Sequence, residues 1–423
     1  MQHKNWSSQL GICGLLVVTT TVGNLRAADW PQYRGPNQDG VSSETANLKW
    51  GGTGHKVLWK VPTHTGFSSF AVSGDKVFIQ VARGNREICQ ALNAGNGHEI
   101  WSADIGIAKY KGGDAGAPDN RGGDGPRSTP TVNDGRVYVL TPGIVLVCFD
   151  AATGKKLWSH DILKEHAGRN IQWENAASPV VDGDLVFVAG GGPGQSLLAF
   201  NKKTGQLAWK GHDETMTHST PVVATILGER QVIFFVKSGL FAVSVKDGKA
   251  LWHFPFPFKT ATAISPVVAG DIVFCSAGYG VGGSACKITK DGNTFKATEL
   301  WTENKQLAVL WSTPVYHDGH LYGMISAKEF GKGPLKCVEL ATGKVVWEQA
   351  GFGAGNVILV NGQLIALSDA GQVVIVEASP AAYKELARFK AVGGKCWSTP
   401  AFSDGRIYVR STTEGACLIP AGK

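Results

Sequence analysis

Short apolar runs separated by glycine turns recur along the whole chain. One unit opens with proline and β-branched residues in Pro179-Val-Val181, turns at Asp182-Gly183, and resumes as the apolar run Leu185-Val-Phe-Val188. Asp-Gly between apolar runs favours a tight hairpin, because a type I′ turn needs positive φ at both central residues. A third run, Leu197-Leu-Ala-Phe200, and a fourth that carries Trp209 complete the unit. The pattern predicts four antiparallel strands for each unit.

A Gly-x-x-x-Trp signature closes most of these units, with the tryptophan on the predicted fourth strand. Its five copies end at Trp101, Trp158, Trp209, Trp252 and Trp347, and a stretched copy runs from Gly292 to Trp301. Self-similarity at a period of roughly 40 to 50 residues is typical of propellers and solenoids. The first strands of eight units begin near Phe67, Arg127, Ala176, His218, Ala263, Trp311, Gly353 and Trp397. We therefore predict an all-β, eight-bladed β-propeller of four-stranded antiparallel blades.

The seventh and eighth units depart from the pattern. In the seventh, Asn356 stands where proline is expected and Phe389 lies near the expected tryptophan. Seven blades remain the alternative if residues 355–390 form no blade. In the eighth, the sequence ends after a third strand, Ala416-Cys-Leu-Ile419, whereas Val57-Leu-Trp59-Lys-Val61 has a fourth-strand pattern with no unit before it. We expect this N-terminal strand to complete the last blade and to remove an open sheet edge.

The N-terminal residues have the features of a secretory signal. A short apolar stretch follows Lys4, and Ala27 and Ala28 offer a cleavage site. The stretch is shorter than the ~18 apolar residues of a membrane span, and no later segment approaches that length. We expect an exported protein of the periplasm or cell envelope, without a membrane span. The expected divisions are a signal peptide at residues 1–28, a lead segment at residues 29–54 and the propeller at residues 55–423.

Charge excludes one class of partner. The 423-residue chain has a formal charge of +7, and loss of Lys4 and Arg26 with the signal would leave +5 (7 − 2). Lysines and arginines form no run or stripe that could follow a phosphate backbone, so we do not expect nucleic acid as a partner. We expect the protein to be a monomer.

The cysteines indicate buried thiols more than a cofactor site. Of the eight cysteines, Cys13 would leave with the signal, and the remaining seven cannot all pair within the chain. Counted back from the turn glycine, Cys148, Cys286 and Cys337 share a position that alanine fills elsewhere, which predicts a small buried slot. Cys275 and Cys286 flank one hairpin and could be bonded or free. No Cys-x-x-Cys and no Cys/His set has zinc or haem spacing, so neither is predicted.

The repeats resemble those of the pyrroloquinoline-quinone (PQQ)-type, or quinoprotein-type, β-propellers, whose unit ends in Ala-Leu-Asp-x-x-Thr-Gly-Lys-x-x-Trp. The matching segments are Cys148-Phe-Asp150-Ala-Ala-Thr153-Gly154-Lys155-Lys-Leu-Trp158 and Cys337-Val-Glu339-Leu-Ala-Thr342-Gly343-Lys344-Val-Val-Trp347. The segment Asp29-Trp30-Pro31-Gln32-Tyr33-Arg34-Gly35-Pro36 also resembles the opening of exported bacterial members. The resemblance extends from about residue 29 to the end. It implies that each signature tryptophan packs between adjacent blades.

The resemblance implies three possible functions. The first is that of the periplasmic propeller of the outer-membrane protein assembly machinery, which docks partner proteins. On that basis we expect an exported, non-enzymatic scaffold for an envelope protein or another ligand, with no catalytic residue. The alternatives are a glycan-binding propeller and a PQQ-dependent alcohol or sugar dehydrogenase. Such dehydrogenases hold PQQ over calcium beneath a disulfide between consecutive cysteines, and this sequence contains no Cys-Cys pair. We therefore predict no cofactor, with PQQ and calcium kept only as the alternative.

Repeat symmetry suggests where a ligand would bind. The residue three before each conserved proline is expected to begin an innermost strand, so its copies would form a ring at one mouth of the channel. The candidate ligand residues are Phe67, Arg127, His218, Trp311 and Trp397 from this ring, with Trp173, Glu174 and Asn175 beside it. An aromatic and cationic ring suits planar or sugar ligands. Alternatively, these side chains pack between blades, since successive strand residues point to opposite faces.

One connection has a faint resemblance to a calcium loop. The segment from Asp104 to Pro126 is rich in glycine and contains Asp119-Asn120 and Asp124. It lacks the regular ligand spacing and the terminal glutamate of such loops. We expect a solvated loop and predict no metal site.

Overall fold

Eight sheets follow one another along the chain in the computed structural model, which describes Met1 and residues 29–44, 55–110, 125–325 and 333–420. Each contains four antiparallel strands, and the seventh has one further short strand that pairs in parallel. The innermost strands of most successive sheets contact each other around a central channel. The predicted eight-bladed β-propeller is therefore confirmed, including the seventh blade. Apart from Met1, the predicted signal peptide lies outside the described residues, as do residues 45–54 of the predicted lead segment.

The first four blades take their strands in simple chain order. Two strands, β1 (Val41–Ser42) and β2 (His55–Pro62), precede them and join blades 7 and 8. Blade 1 comprises β3 (Ala71–Ser73), β4 (Lys76–Arg83), β5 (Arg86–Asn93) and β6 (Glu99–Ile107). Blade 2 comprises β7 (Thr131–Asn133), β8 (Arg136–Leu140), β9 (Val145–Asp150) and β10 (Lys156–Asp161). Blade 3 comprises β11 (Val180–Asp182), β12 (Leu185–Ala189), β13 (Leu197–Asn201) and β14 (Leu207–Gly211). Blade 4 comprises β15 (Val222–Ile226), β16 (Glu229–Val236), β17 (Gly239–Ser244) and β18 (Ala250–Pro255).

The last four blades follow the same order until the ring closes. Blade 5 comprises β19 (Val267–Ala269), β20 (Ile272–Ala277), β21 (Gly282–Asp291) and β22 (Thr294–Glu303). Blade 6 comprises β23 (Val315–His317), β24 (His320–Met324), β25 (Leu335–Glu339) and β26 (Val345–Gln349). Blade 7 comprises β27 (Asn356–Val360), β28 (Gln363–Leu367), β29 (Gln372–Glu377) and β30 (Glu385–Lys390). Blade 8 comprises β31 (Ala401–Ser403), β32 (Arg406–Arg410) and β33 (Glu414–Pro420), with β2 as its fourth strand.

The N-terminal strand closes the ring as expected. In the antiparallel pair of β2 and β33, Trp59 lies opposite Cys417 and Lys60 lies opposite Ala416. Apolar side chains from facing sheets fill the space between blades, so that Ile79 of blade 1 and Leu418 of blade 8 belong to one buried cluster. The described residues include one short helix, α1 (Ile162–Glu165), and none long and apolar enough to cross a membrane.

The signature glycine of a blade packs against the signature tryptophan of the blade before it. Gly154 has φ +73°, and a Cβ on it would lie 2.7 Å from two ring carbons of Trp101. The Trp101 indole in turn donates a hydrogen bond to the Ala151 carbonyl of the next blade, at 3.1 Å. The same packing joins Gly97 with Trp59, Gly205 with Trp158, Gly248 with Trp209 and Gly343 with Trp301. Glycine is therefore required for both its backbone conformation and the approach of the indole.

Two blades break this interlock. Gly292, at the tip of the long β21–β22 hairpin, has no heavy atom within 4 Å of its Cβ position, and the Trp252 indole donates instead to Gln231 of its own blade. In blade 7, Ala387 occupies the tryptophan position of the fourth strand, and it lies opposite Ile375 on the third. In blades 1 and 6 a tryptophan at this position lies opposite alanine or cysteine. Phe389 stacks on His55 instead, with ring centroids 3.9 Å apart.

The cysteine slot is confirmed with one correction. Trp158, Trp347 and Trp59 lie opposite Cys148, Cys337 and Cys417, respectively, on neighbouring strands. In blade 5, however, Trp301 lies opposite Ala285, so Cys286 is one position away from the slot. The seven cysteines of the described residues are all buried free thiols, Cys275 and Cys286 among them.

The lead segment, meaning residues 29–44 from here on, crosses one end of the channel. We call this end the hairpin mouth, because the turns between first and second strands surround it. Asp29 accepts hydrogen bonds at the first turn of blade 1, and Glu44 accepts them from Asp404 and Gly405 of blade 8. Between these ends, the lead segment hydrogen-bonds to the inner edges of four more blades. These bonds are Val132 N to Pro31 O in blade 2, Val223 N to Gln38 Oε1 in blade 4, Arg34 to Pro314 O in blade 6 and Leu359 N to Gly40 O in blade 7.

Candidate functional site

The ring residues lie at the opposite end of the channel, which we call the crossover mouth because the chain crosses there from one blade to the next. We expected these residues to begin the innermost strands. In the structure they precede those strands by several residues. Arg127 precedes β7, which starts at Thr131, and Trp397 precedes β31, which starts at Ala401. Proline intervenes in both segments and has no N–H to donate, so strand pairing begins only after it.

Three aromatic side chains of the ring meet at this mouth, and we call Phe67, Trp311 and Trp397 the aromatic cluster. The Phe67 and Trp397 rings stack with centroids 5.0 Å apart and planes 25° apart. The Trp311 and Trp397 rings are 4.4 Å apart at 40°. Since these side chains come from blades 6, 8 and 1, the cluster passes over blade 7, where the ring position is Gly353. A Cβ on Gly353 would overlap the Asp369 carboxyl, so glycine is required there by Asp369.

The aromatic cluster combines apolar faces with polar groups. Phe67 is buried, whereas Trp311 and Trp397 are partly exposed. The Trp311 indole donates to the Ala354 carbonyl at 2.9 Å, but the buried Trp397 Nε1 has no hydrogen-bond partner among the described residues. The Lys395 ammonium lies 3.7 Å from the Trp397 ring centroid, which is a cation–π contact. The partly exposed surfaces of Trp311 and Trp397 are suited to contact with an apolar group of a partner.

A polar cluster lies elsewhere around the same mouth and contains Arg127, Trp173, Glu174 and His218. Arg127 Nη1 donates to the Trp173 carbonyl at 2.8 Å, and the Trp173 and His218 rings are 6.3 Å apart. Trp173 and Glu174 have φ values of +64° and +60°, respectively. Positive φ values place both residues in the left-handed region of backbone conformation, which non-glycine residues rarely adopt. Such a conformation costs of order 1–3 kcal/mol for each residue and persists only where surrounding contacts stabilise it.

Burial sets the ionisation of the polar cluster. Burial, with a smaller contribution from the Arg127 charge, lowers the pKa of His218 to about 4, although hydrogen bonds to the Glu174 and Gln172 backbone oppose the shift. Burial likewise raises the pKa of Glu87 on β5 to about 7, and the Glu174 charge adds to this effect while a hydrogen bond with Tyr110 opposes it. His218 is therefore neutral at pH 7, and Glu87 keeps its proton to a much higher pH than an exposed glutamate does.

The remaining candidate has a structural position. Asn175 is fully buried; its side-chain nitrogen donates to the carbonyls of Thr141 at 3.3 Å and Ala177 at 3.0 Å, and its side-chain oxygen accepts from Ala177 N at 3.0 Å. Glu87 was not among the sequence candidates. Its position next to Ile88 near the start of a mostly apolar strand was the available signal, since a carboxyl on a buried strand is seldom left without a role.

The residues present do not fit the PQQ and calcium of the quinoprotein dehydrogenases. The sequence has no consecutive cysteines, and the described residues include no group of three or more histidine, cysteine, aspartate or glutamate side chains that could hold a metal ion. Asp114, Asp119, Asn120, Arg121 and Asp124 of the glycine-rich loop lie outside the described residues. We therefore derive no reaction step through PQQ.

Comparison with known proteins identifies the family. The family model described as outer membrane protein assembly factor BamB matches residues 84–349, more than half of the chain. The chain belongs to this BamB family. The BamB of Moranella endobia is 24% identical over 304 residues, which is 68% of this chain and 71% of the relative. The BamB of Burkholderia pseudomallei is 27% identical over 66% of this chain and 64% of its own length.

More distant similarities include enzymes. The quinoprotein ethanol dehydrogenase of Pseudomonas aeruginosa is 29% identical over 39% of this chain but only 27% of the enzyme. Two solved structures share the fold. The BamB crystal structure from Moraxella catarrhalis has a TM-score of 0.62 at 14% identity, over 87% of this chain and 98% of that one. The quinohemoprotein alcohol dehydrogenase from Comamonas testosteroni has a TM-score of 0.66 at 12% identity, over 93% and 81%. At such identities the likeness shows the fold alone.

Proposed function

We propose that this protein is an exported, non-enzymatic propeller that docks a protein of the cell envelope on its crossover mouth. The aromatic cluster is the observation that carries the proposal. Membership of the BamB family supports a protein partner, because its relatives are named as outer membrane protein assembly factors.

The two mouths differ in a way that favours one of them. The lead segment covers the hairpin mouth and hydrogen-bonds to six blades there. At the crossover mouth, Trp311 and Trp397 are partly exposed and packed against each other. Tryptophan is enriched among the residues that contribute most binding energy in protein interfaces, where aromatic side chains fill central desolvated pockets. An apolar side chain of the partner would pack against the two indoles.

One detail supports this chemistry. Phe67, which is buried, stacks on the Trp397 ring, so the indole is held in place before a partner arrives. A surface ordered in advance loses less side-chain entropy on binding. The Trp397 Nε1 is itself buried, so the partner would contact the partly exposed ring surfaces of the two indoles. We therefore expect a partner segment that presents an apolar side chain.

Site-specific photo-crosslinking tests the docking surface. A benzoylphenylalanine at position 311 or 397 is compared, in cells that make the protein, with the same residue at Leu227. Leu227 is 43% exposed in a turn beside the hairpin mouth and so provides a matched control. We expect one dominant protein adduct from positions 311 and 397 and none from 227. Equal adducts from all three positions, or adducts with polysaccharide only, would contradict the proposal, and the second result would favour glycan binding.

A second pair of measurements addresses the indoles and catalysis. The Trp397→Ala variant should lose at least tenfold in affinity for the crosslinked partner, while Leu227→Ala keeps its affinity, since a truncated central aromatic residue costs about 2 kcal/mol or more. The non-enzymatic assignment is tested by adding PQQ and Ca²⁺ to the protein and following dye-linked alcohol or aldose oxidation. Turnover above a control without protein would contradict that assignment.

A further inference from the structure

A cavity lies beside the lead segment at the hairpin mouth, at the opposite end of the channel from the proposed docking surface. Its volume is ≈ 350 Å³, and the lead segment and blades 3 to 6 line it. Blade 5 contributes the consecutive residues Pro266, Val267 and Val268, and blade 6 contributes Tyr316. The Arg230 side chain in this wall is half-exposed, so the cavity is open to solvent on that side. A chain that enters from outside could therefore reach the inner strand of blade 5.

The lead segment shows how polypeptide binds to the inner edges of the blades. The outer side of an antiparallel edge strand carries N–H groups that point away from the neighbouring strand, and on the inner strands these groups face the channel. In four blades such an N–H donates to the lead segment, with Val72 N bonded to Trp30 O at 2.8 Å, Val132 N to Pro31 O at 2.7 Å, Val223 N to Gln38 Oε1 at 2.7 Å and Leu359 N to Gly40 O at 2.8 Å. In blade 7 the contact is a regular parallel pair between β1 and β27, with Val41 opposite Leu359. The inner edge is thus a binding site for extended main chain.

The corresponding N–H of blade 5 has no such partner. Val268 lies opposite Val273 in the pair of β19 and β20, as Val132 lies opposite Val137 in blade 2. The Val268 N–H therefore also faces the channel. Within the described residues, no oxygen of the lead segment or of another loop accepts from it. Since an unpaired sheet edge is a template for another strand, β19 can accept a strand from a different chain.

Burial of the side chains also separates the covered edges from the uncovered ones. Residues at this position are at most 7% exposed where the lead segment pairs with them, namely Val72, Val132, Val223 and Leu359. In contrast, Val268, Val181 of blade 3 and Tyr316 of blade 6 are partly exposed and line the cavity. Because β19 and β23 contact each other, Val268 and Tyr316 provide an apolar surface next to the open edge.

Blade 5 is favoured over its neighbours as the place where a segment would pair. At blade 3, the ion pair of Asp182 with Arg230 borders Val181. At blade 6, Arg34 of the lead segment already donates to the Pro314 carbonyl. The residues that blade 5 contributes to the cavity wall include no charged side chain. A segment can therefore approach β19 without desolvating a charge, which would be costly.

We propose that this cavity binds an extended segment of a partner protein, which pairs in parallel with β19 as β1 pairs with β27. A carbonyl of the segment would accept from the Val268 N–H, and the N–H two residues later would donate to the Val268 carbonyl. A β-branched side chain between these groups would lie beside Val268 and contact the Tyr316 ring. Strand addition of this kind derives affinity from main-chain hydrogen bonds and specificity from side-chain pockets. The site is separate from the aromatic cluster, so the inference does not rest on the proposed docking function.

A synthetic tripeptide tests the pairing. The probe, acetyl-Gly-Val-Ser-amide, has the sequence of residues 40–42, whose glycine carbonyl accepts from Leu359 N on the equivalent edge of blade 7. It is added to the full-length protein and followed by ligand-observed NMR, and we expect saturable binding. The same peptide methylated at the serine nitrogen cannot donate to the Val268 carbonyl and should bind at least tenfold more weakly. The absence of saturation at tens of millimolar, or equal binding of the methylated peptide, overturns the proposal.

Variants locate the binding. Val268→Pro removes the N–H that the segment needs, and proline is tolerated on an edge strand where the N–H faces away from the sheet. It should weaken peptide binding at least tenfold, whereas Val268→Thr keeps the N–H at similar size and should retain binding. Trp397→Ala should leave peptide binding unchanged. Binding that survives Val268→Pro, or that is lost with Trp397→Ala, overturns the proposal. If Val268→Pro does not fold, the methylated peptide decides.

Photo-crosslinking in cells tests whether the segment belongs to a protein. Benzoylphenylalanine at position 316 replaces one ring of the cavity wall with another and should form a protein adduct. The adduct should be lost when Val268→Pro is added and kept when Val268→Thr is added. The absence of an adduct at position 316, or an adduct that persists with Val268→Pro, overturns the proposal.

Discussion

Replacing Gly154 by alanine would add a Cβ that overlaps the Trp101 ring where blades 1 and 2 pack together. The new Cβ would lie 2.7 Å from Trp101 Cδ2 and Cε3. Trp101 cannot move away freely, because its indole donates to the Ala151 carbonyl and its ring packs 5.9 Å from the Phe78 ring. Gly135 in the same blade is a matched control. Its φ of +70° is close to the +73° of Gly154, but no heavy atom lies within 4 Å of its Cβ position.

The two glycines therefore share one cost and differ in another. A Cβ in the left-handed region costs about 1–2 kcal/mol at either position. At Gly154 the overlap with Trp101 adds the cost of overpacking, which is typically 1–3 kcal/mol. We expect Gly154→Ala to lower the free energy of unfolding by about 2–5 kcal/mol and Gly135→Ala by about 1–2 kcal/mol.

Urea unfolding followed by circular dichroism measures both losses. A double-mutant cycle with Trp101→Leu then isolates the contact, since Gly154→Ala should cost only about 1–2 kcal/mol once the indole is gone. Equal losses for Gly154→Ala and Gly135→Ala would refute the interlock as an energetic feature. So would an unchanged cost of Gly154→Ala in the Trp101→Leu background.

Three further predictions concern ionisation, the lead segment and the thiols. The pKa of Glu87 is raised to about 7 in the folded protein, from a usual value of 4.5. The stability that its proton contributes is therefore present below pH 4.5 and is lost, by roughly 3 kcal/mol, as the pH rises through 7. Urea unfolding of Glu87→Gln across this pH range should not show this loss. Arg34→Met leaves the Thr313 and Pro314 carbonyls without their donor and should lower the free energy of unfolding in urea by about 2–4 kcal/mol. Arg169 is exposed, so the control Arg169→Met should lower it by less than about 0.5 kcal/mol. Equal losses for the two variants would contradict the reasoning. The chain from Asp29 should show almost no reaction with Ellman's reagent when folded and seven thiols when unfolded, whereas five would reveal a disulfide and contradict the free thiols.

The fold could be predicted from the sequence because each repeat carries the same pattern of strand and turn residues. Proline, the turn glycine and the signature tryptophan recur at fixed places, and a unit with one exposed apolar face can only be buried by its neighbours. The errors lie where one unit departs from the others. Counting back from Gly292 misplaced Cys286, because the β21–β22 hairpin is longer than its counterparts. The bulge after Ala285 matches the bulge after Ala199 and would have given the correct position.

The site was only partly accessible to sequence reasoning. Symmetry brought Phe67, Trp311 and Trp397 to one mouth, and the structure places their rings in contact. That the two indoles meet across the blade between them is a property of the assembled ring. The surroundings of Glu87, which include Tyr110 and Glu174, depend on contacts between distant segments. No local pattern encodes such contacts, since each lies between residues far apart in the chain.

The bonds from Glu44 to Asp404 and Gly405 link residues 360 and 361 positions apart. Together with the β2–β33 pair, they mean that β2 and the lead segment reach their final positions only after residues 404–420 are in place. Closure of the ring therefore requires the whole chain from β2 to β33. A chain interrupted near residue 400 would keep its first strand exposed and prone to pair with another chain.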